Sequence, residues 1–264
     1  MPITKKYKTS VQRFVSFLTI ACIIACSSTS GLHNTVMDGK KILITAQLND
    51  VAEVESFIKP YRQHLDKDLD SILCYCPETM DKGKSINGWQ TTIGNFMADV
   101  TFQYADKMLM TRQKRHVDVC LLNHGGIRAI IAKGNVTTRT AFEIMPFENS
   151  VVVIALKGEQ LVEIANYIAA EKKPHPLAGM QVLLDKDGVV KGLTVQGKPV
   201  EAGKIYNVAT SDYLSSGGDN MAFFKKGVAT YDLDYKLRNL FIDYFKEVDT
   251  LPIIRTKRII QDKP

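Results

Sequence analysis

Apolar and polar positions follow two different periods along this chain of 264 residues. Short apolar runs predict strands at 71–76, 151–156 and 205–209, and a further strand is predicted at 42–48. Between them, apolar residues recur every three or four positions and predict helices over 51–65, 92–110, 138–145, 159–170 and 234–248. Alternating strands and helices are typical of a mixed α/β (α+β) fold with layered sheets and flanking helices.

The predicted secondary structure changes after residue 180, from alternating strands and helices to successive strands. Strands at 181–184, 189–195 and 205–209 follow one another across turns at 185–188 and 196–198. Successive short strands joined by tight turns predict an antiparallel meander.

The first 25 residues have the pattern of an export signal, with a basic start followed by an apolar run from Phe14 to Ala25. The run ends in Ile23-Ile24-Ala25-Cys26, which resembles the bacterial lipobox. We expect a signal peptide at 1–25, a lipidated Cys26 and a polar tether over 26–40. An uncleaved or differently cut signal, including one cut before Cys22, remains the alternative.

This leader sets the expected location and domain plan. We expect a lipoprotein of the cell envelope, held at the periplasmic face or the cell surface only by its lipid anchor. A folded domain would cover 41–255, followed by a tail at 256–264.

Charge argues against nucleic acid as a partner. The formal net charge is +6, but Lys5, Lys6, Lys8 and Arg13 lie in the leader, which has no acidic residue, so residues 26–264 carry only +2. A polyanion-binding domain needs a clustered basic face. The other cysteines, Cys74, Cys76 and Cys120, are odd in number and are predicted to be inert thiols without a disulfide framework.

Two apolar strands each lead into a glycine pair that carries polar groups. The first loop contains Asn123, His124, Gly125 and Gly126, and the second contains Gly217, Gly218 and Asp219. A glycine pair costs backbone entropy and is best explained by a positive φ or by a close approach to the backbone. We therefore expect these two loops to bind the ligand.

The order of the motifs around these loops indicates a family. The motifs in order are Thr92-Ile-Gly-Asn-Phe-Met-Ala-Asp99, Asn123-His-Gly-Gly-Ile-Arg128, Gly134-Asn-Val-Thr137, Pro146-Phe147-Glu-Asn149, Leu156-Lys-Gly-Glu-Gln-Leu161 and Asp212-Tyr-Leu-Ser-Ser-Gly-Gly-Asp219. Together they closely resemble the C-terminal domain of bacterial and animal 5′-nucleotidases. The resemblance covers roughly residues 40–255.

This resemblance implies a nucleotide-specificity domain with a base held between two aromatic rings, here Phe147 and Tyr213. Asn123 and Arg128 match positions that contact the nucleoside, and Asp219 matches a carboxylate that accepts hydrogen bonds from ribose hydroxyls. The alternative is that Phe147 belongs to the core and Asp219 is a turn residue.

The glycine-pair residues Gly125, Gly126, Gly217 and Gly218 are further candidates for ligand contact. His124 replaces a glycine of the family's usual loop. It would contact ligand, donate a proton or have a structural role. The stretch 84–90 lacks the arginine that many members have there.

The resemblance places hydrolysis outside this domain, in a separate N-terminal calcineurin-like domain with two metals. The five histidines of this chain show no metal-ligand spacing, so we predict no catalytic residue, no metal ligand and no cofactor here. Divalent metals are expected only in a partner metallophosphatase chain.

Three hypotheses follow. The first is that this chain supplies nucleotide or nucleoside recognition to a split 5′-nucleotidase-type hydrolase in nucleotide catabolism. The second is a non-catalytic lipoprotein that binds nucleotides or nucleosides, and the third is an interaction scaffold with a decayed site.

Overall fold

A computed structural model describes residues 3–25, 38–45 and 48–262. The chain divides into two compact units, Met1–Val54 and Glu55–Pro264. The predicted lipidation site Cys26 and most of the predicted tether lie outside the described residues.

The described part of the first unit includes the long helix α1 (Ile3–Ala25). Among the described residues, no helix combines the length and the apolar character needed to cross a membrane. The strand predicted at 42–48 is not formed over 42–45, where Ile42, Leu43 and Ile44 are exposed and pair with no strand of the described residues. Residues 46–47 lie outside the described residues.

The helix predicted over 51–65 is confirmed as α2 (Ala52–Leu69). None of its residues is buried, and Pro60 lies inside it. The Arg139 guanidinium binds the carboxylates of Asp66, at 2.7 Å, and Asp70, at 2.6 Å.

The remaining regular elements of the described chain run in the following order: β1 (Ile72–Cys76), α3 (Thr92–Gln113), β2 (Val119–Leu121), β3 (Gly134–Thr137), α4 (Thr138–Ile144), β4 (Ser150–Lys157), α5 (Gly158–Glu171), β5 (Leu177–Ala178), β6 (Met180–Leu184), β7 (Val190–Val195), β8 (Lys198–Pro199), β9 (Ile205–Ser211), α6 (Asp212–Ser215), β10 (Ala229–Lys236), α7 (Leu237–Glu247) and β11 (Ile259–Gln261).

A five-stranded sheet in the order β10-β4-β9-β2-β5 forms the centre of the domain. Within it, β2 and β9 are parallel, whereas β4 is antiparallel to both of its neighbours. A second sheet has the order β11-β6-β7-β8, and β1 pairs with β3. The mixed α/β fold with several sheets is as predicted.

Strand β4 shows why the core has two parts. Its side chains alternate between the two faces of the sheet, as strand geometry requires. Val151 and Val153 pack into one cluster with α3 and α7, and Val152 and Ile154 pack into the other with α5 and the second sheet. A strand buried on both faces is continuously apolar, which is why the sequence signal here is strong.

The sequence predicts Thr91 or Thr92 as the residue that caps the N-terminus of α3. Thr91 is the N-cap, and its hydroxyl accepts a hydrogen bond from the Gly94 amide at 3.1 Å. The sequence also predicts a buried apolar stripe of Phe96, Val100, Tyr104 and Met108 on this helix. The first three are buried, whereas Met108 is only partly buried.

Three predictions about the C-terminal half are wrong. The strand predicted at 205–209 is not part of the meander, because β9 is inserted between β4 and β2 in the central sheet. The last helix begins at Leu237 rather than at 234, since residues up to Lys236 continue β10. The predicted tail at 256–264 contains β11, which pairs in parallel with β6.

Candidate functional site

The pairing of β2 with β9 brings the two glycine-pair loops together. Val119 pairs with Val208 and Cys120 with Ala209 in parallel, so the carboxyl ends of both strands lie at the same edge of the sheet. Strand β4 is antiparallel to β9, with Val151 opposite Ser211, so its beginning lies at that edge too. Loops at the carboxyl ends of parallel strands are a common place for a ligand.

These three segments surround a cleft of about 360 Å³. It is lined by Asn123, Gly125, Gly126, Arg128, Phe147, Asn149, Tyr213 and Asp219. The structure therefore collects all five main predicted site residues in one cleft, together with the first glycine pair. Their contact with a ligand stays a prediction.

Asp219 connects the two loops. Its carboxylate accepts a hydrogen bond from the Asn123 side-chain amide at 2.6 Å and another from the Tyr213 hydroxyl at 3.0 Å. The Asp219 amide in turn donates to the Tyr213 hydroxyl oxygen at 3.2 Å. Asp219 adopts φ +50°, a left-handed conformation that non-glycine residues adopt infrequently. The carboxylate is thus held in one orientation at the cleft, with capacity for further donors.

The Tyr213 ring packs closely against Gly218 of the second glycine pair. A Cβ at Gly218 would lie 2.5 Å from the Cε1 and Cζ atoms of this ring, so only glycine permits the contact. Gly217 has φ +89°, a conformation that glycine adopts without penalty. Neither glycine lines the cleft; Gly218 makes room for the Tyr213 ring, and contact of either glycine with ligand stays a prediction.

A close approach to a side chain also explains the glycine at position 126, in the first glycine pair. A Cβ at Gly126 would lie 2.7 Å from the Asn123 Oδ1 atom, and the Asn123 side chain cannot easily move because Asp219 holds it. The Gly126 amide also donates to the Asn123 carbonyl at 3.1 Å.

Phe147 and Arg128 form the other side of the cleft. The Arg128 guanidinium carbon lies 5.7 Å from the centroid of the Phe147 ring, within the range of a cation–π interaction. Phe147 is 38% exposed and Tyr213 is 46% exposed. Large exposed aromatic rings on a cleft are more typical of ligand binding than of core packing.

Asn149 was not predicted as a site residue. It lies two positions after Phe147 in one of the family motifs, immediately before β4, and that placement was the available signal.

His124 does not line this cleft. It lines an adjoining cavity of about 340 Å³ that shares Gly125 and Asp219 with the cleft. Burial lowers the pKa of His124, and the nearby Lys82 charge acts in the same direction.

The adjoining cavity also contains two residues that the sequence did not single out, Tyr167 and His175. His175 is buried, and that burial lowers its pKa to about 4. Burial also raises the pKa of Tyr167 to about 12, so its hydroxyl is protonated at neutral pH.

Metal ligands are not grouped in the described part of the chain. Residues 3–25, 38–45 and 48–262 contain no group of three or more His, Cys, Asp or Glu side chains that could hold a metal ion. The divalent metals implied by the resemblance therefore have no fitting site among these residues. Cys74, Cys76 and Cys120 are free and buried.

Residues 79–226, more than half of the chain, match the family profile of the 5′-nucleotidase C-terminal domain. The chain belongs to this family. The match includes both glycine-pair loops and every residue that lines the cleft.

Curated relatives agree with this assignment. The chain is 29% identical over 188 residues to protein UshA of Escherichia coli, an alignment that covers 69% of this chain and 32% of UshA. It is 27% identical over 215 residues to the trifunctional nucleotide phosphoesterase protein YfkN of Bacillus subtilis, covering 74% of this chain and 14% of that protein. The chain thus matches only about a third of the length of UshA.

Solved structures show the same fold. The 5′-nucleotidase precursor from Thermus thermophilus is 22% identical with a TM-score of 0.65, covering 80% of this chain and 44% of its own. The NAD nucleotidase from Haemophilus influenzae is 20% identical with a TM-score of 0.61, covering 81% and 42%. The expected 5′-nucleotidase C-terminal fold is confirmed.

Proposed function

We propose that this 5′-nucleotidase C-terminal domain recognises the nucleoside part of a nucleotide. The observation that carries the proposal is the cleft in which Phe147, Tyr213 and Asp219 come together. The two rings offer stacking faces for a base, and each base–aromatic stack contributes about 1–3 kcal/mol. The Asp219 carboxylate offers acceptors for ribose hydroxyls, and the Arg128 guanidinium offers a fork of donors for oxygen atoms.

Calorimetric titration with a panel of nucleosides tests this proposal. We expect adenosine and AMP to bind at one site, and ribose 5-phosphate, which lacks a base, to bind at least tenfold more weakly because both stacks are lost. Equal affinity for AMP and ribose 5-phosphate would reject the stacking role of the rings.

We further propose that hydrolysis is performed together with a separate calcineurin-like metallophosphatase chain. Support comes from the resemblance, which assigns the metal chemistry to another domain, and from the described residues, which contain no group of three or more side chains that could hold a metal ion. In this scheme the cleft holds the nucleoside so that the phosphate reaches the partner's metals, which is catalysis by positioning.

Purification of the native protein from envelope extracts, followed by assay of phosphate release from AMP with manganese, tests the partnership. We expect a metallophosphatase to co-purify and to gain preference for AMP over ribose 5-phosphate in the presence of this chain. A partner whose preference is unchanged by this chain would contradict the scheme. Nucleoside binding without any co-purifying phosphatase would favour the binding-lipoprotein alternative.

The lipid anchor at Cys26 is the third part of the proposal. The Ile23-Ile24-Ala25-Cys26 sequence supports it. Metabolic labelling with a palmitate analogue should label the wild-type protein and should be lost in Cys26→Ala. Unchanged labelling of Cys26→Ala would reject this anchor site.

A further inference from the structure

Two side chains that lie outside every family motif make hydrogen bonds to the backbone of the two cleft loops. The Tyr167 hydroxyl, on α5, donates to the Asp219 carbonyl at 2.7 Å. The His124 amide, in the first loop, donates to the Nδ1 atom of His175 at 3.2 Å. The Tyr167 and His175 rings are neighbours, with centroids 5.5 Å apart. One pair of packed rings therefore contacts the backbone of both cleft walls.

The ionisation state of His175 suits this contact. The residue is only 3% exposed, and its lowered pKa leaves the imidazole neutral at pH 7. Because Nδ1 accepts from the His124 amide, the ring hydrogen is on Nε2. The adjacent Pro176 carbonyl accepts from the Leu122 amide at 2.9 Å, which fixes the same loop at a second point.

The position of the Tyr167 side chain is also fixed by its contacts. Its ring packs edge-on against Phe223, with centroids 5.6 Å apart. Its hydroxyl holds the carbonyl of Asp219 itself, the residue with φ +50° whose carboxylate faces the cleft. A backbone in that conformation persists when its surroundings fix it.

We propose that Tyr167 and His175 are positioning residues that set the two cleft walls at the spacing needed for ribose recognition. This inference rests on the proposed nucleoside-binding function. Neither side chain lines the cleft, so each acts through another residue: Tyr167 through Asp219 and His175 through the loop that carries Asn123. Affinity depends on such preorganisation, because a ligand then loses less free energy in ordering its site.

The central variant is Tyr167→Phe, which removes one hydroxyl and keeps the packed ring. The probes are adenosine and 2′,3′-dideoxyadenosine, titrated by calorimetry. We expect adenosine to bind about fivefold more weakly to the variant, the equivalent of one hydrogen bond. Dideoxyadenosine lacks the 2′- and 3′-hydroxyls that would donate to Asp219, so it should bind the variant and the wild-type protein with equal affinity. A general structural defect would weaken both nucleosides alike.

Tyr206→Phe is the matched control. Tyr206 is buried, whereas Tyr167 is partly buried, but its hydroxyl likewise contacts the backbone, since it accepts from the Glu201 amide at 3.0 Å, and it does not line the cleft. Its variant should leave the ratio of the two affinities unchanged.

A second pair of variants tests His175. Asparagine places an acceptor oxygen near the position of Nδ1, so His175→Asn should retain the adenosine preference, whereas His175→Leu should lose it. This comparison of the two His175 variants also tests the positioning role if Tyr167→Phe does not fold.

The outcomes separate the inference from the function on which it rests. If wild-type protein binds adenosine and Tyr167→Phe keeps the wild-type ratio of affinities, the positioning role is wrong and the function stands. If wild-type protein binds no nucleoside, the proposed function fails and the inference falls with it.

Discussion

The Asn123 side-chain amide donates a hydrogen bond to the Asp219 carboxylate over 2.6 Å, although the two residues are 96 positions apart. The bond joins the loop after β2 to the loop after β9, and it exists because those strands are parallel neighbours. It orients a carboxylate at the cleft while leaving it further acceptor capacity.

Asp219→Ala should weaken adenosine binding by about 1.5–3 kcal/mol, the contribution typical of hydrogen bonds to a charged group. Calorimetry measures the change. Asp187→Ala is the control, because Asp187 lies in an exposed turn and not at the cleft. Equal losses in both variants would contradict a ribose-binding role for Asp219.

The aromatic rings should carry the base. Phe147→Ala and Tyr213→Ala are each expected to cost about 1–3 kcal/mol of AMP affinity through lost stacking, with little change in thermal stability because both rings are exposed. Tyr75→Ala removes a comparably exposed ring, at 41%, that does not line the cleft, and it should leave affinity unchanged. Wild-type AMP affinity in both cleft variants would exclude the stacking role.

Gly218→Ala should displace the Tyr213 ring, because the added Cβ would lie 2.5 Å from it. Overpacking of this kind costs about 1–3 kcal/mol, which we expect as lost AMP affinity. Gly203→Ala is the matched control, since its Cβ would meet nothing within 4 Å. If the two alanine variants bind AMP equally well, the close approach of Gly218 does not matter for the site.

His175 should make the fold less stable in acid. Its pKa is 6.5 before burial and about 4 in the folded protein, so the unfolded chain binds the additional proton between these values. The contribution of neutral His175 to the free energy of unfolding is therefore fully present above about pH 6.5. It decreases as the pH falls toward 4, by about 3 kcal/mol.

Urea unfolding at pH 7 and pH 4.5 measures this effect. His175→Asn, which cannot titrate, should remove the His175 share of the decrease, while the smaller share from His124 remains. An unchanged pH dependence in this variant would contradict the burial of a neutral His175.

The sequence predicted well those features that depend on local pattern or on a motif. The β4 strand and the Thr91 cap are examples, and the motif order selected the five residues that the fold brings into one cleft. The pairing of strands was harder to predict from the sequence. The apolar run of β9 is compatible with a meander or with a central strand, and only its long-range partners β4 and β2 decide between them.

The sequence also did not predict residues whose role depends on their tertiary contacts. Tyr167 lies on a helix whose pattern indicates only packing, and His175 is an isolated histidine between α5 and β5. Their contacts with Asp219 and with the first loop depend on where α5 lies against the central sheet. Similarly, β11 has only three residues, too few for a periodic signal.

A crystal structure of the protein with bound adenosine tests the central claim most directly. We predict that the base lies between the rings of Phe147 and Tyr213, with the ribose hydroxyls donating to the Asp219 carboxylate. Adenosine bound at another surface, or an empty cleft at a saturating adenosine concentration, would contradict the claim that this cleft recognises nucleosides.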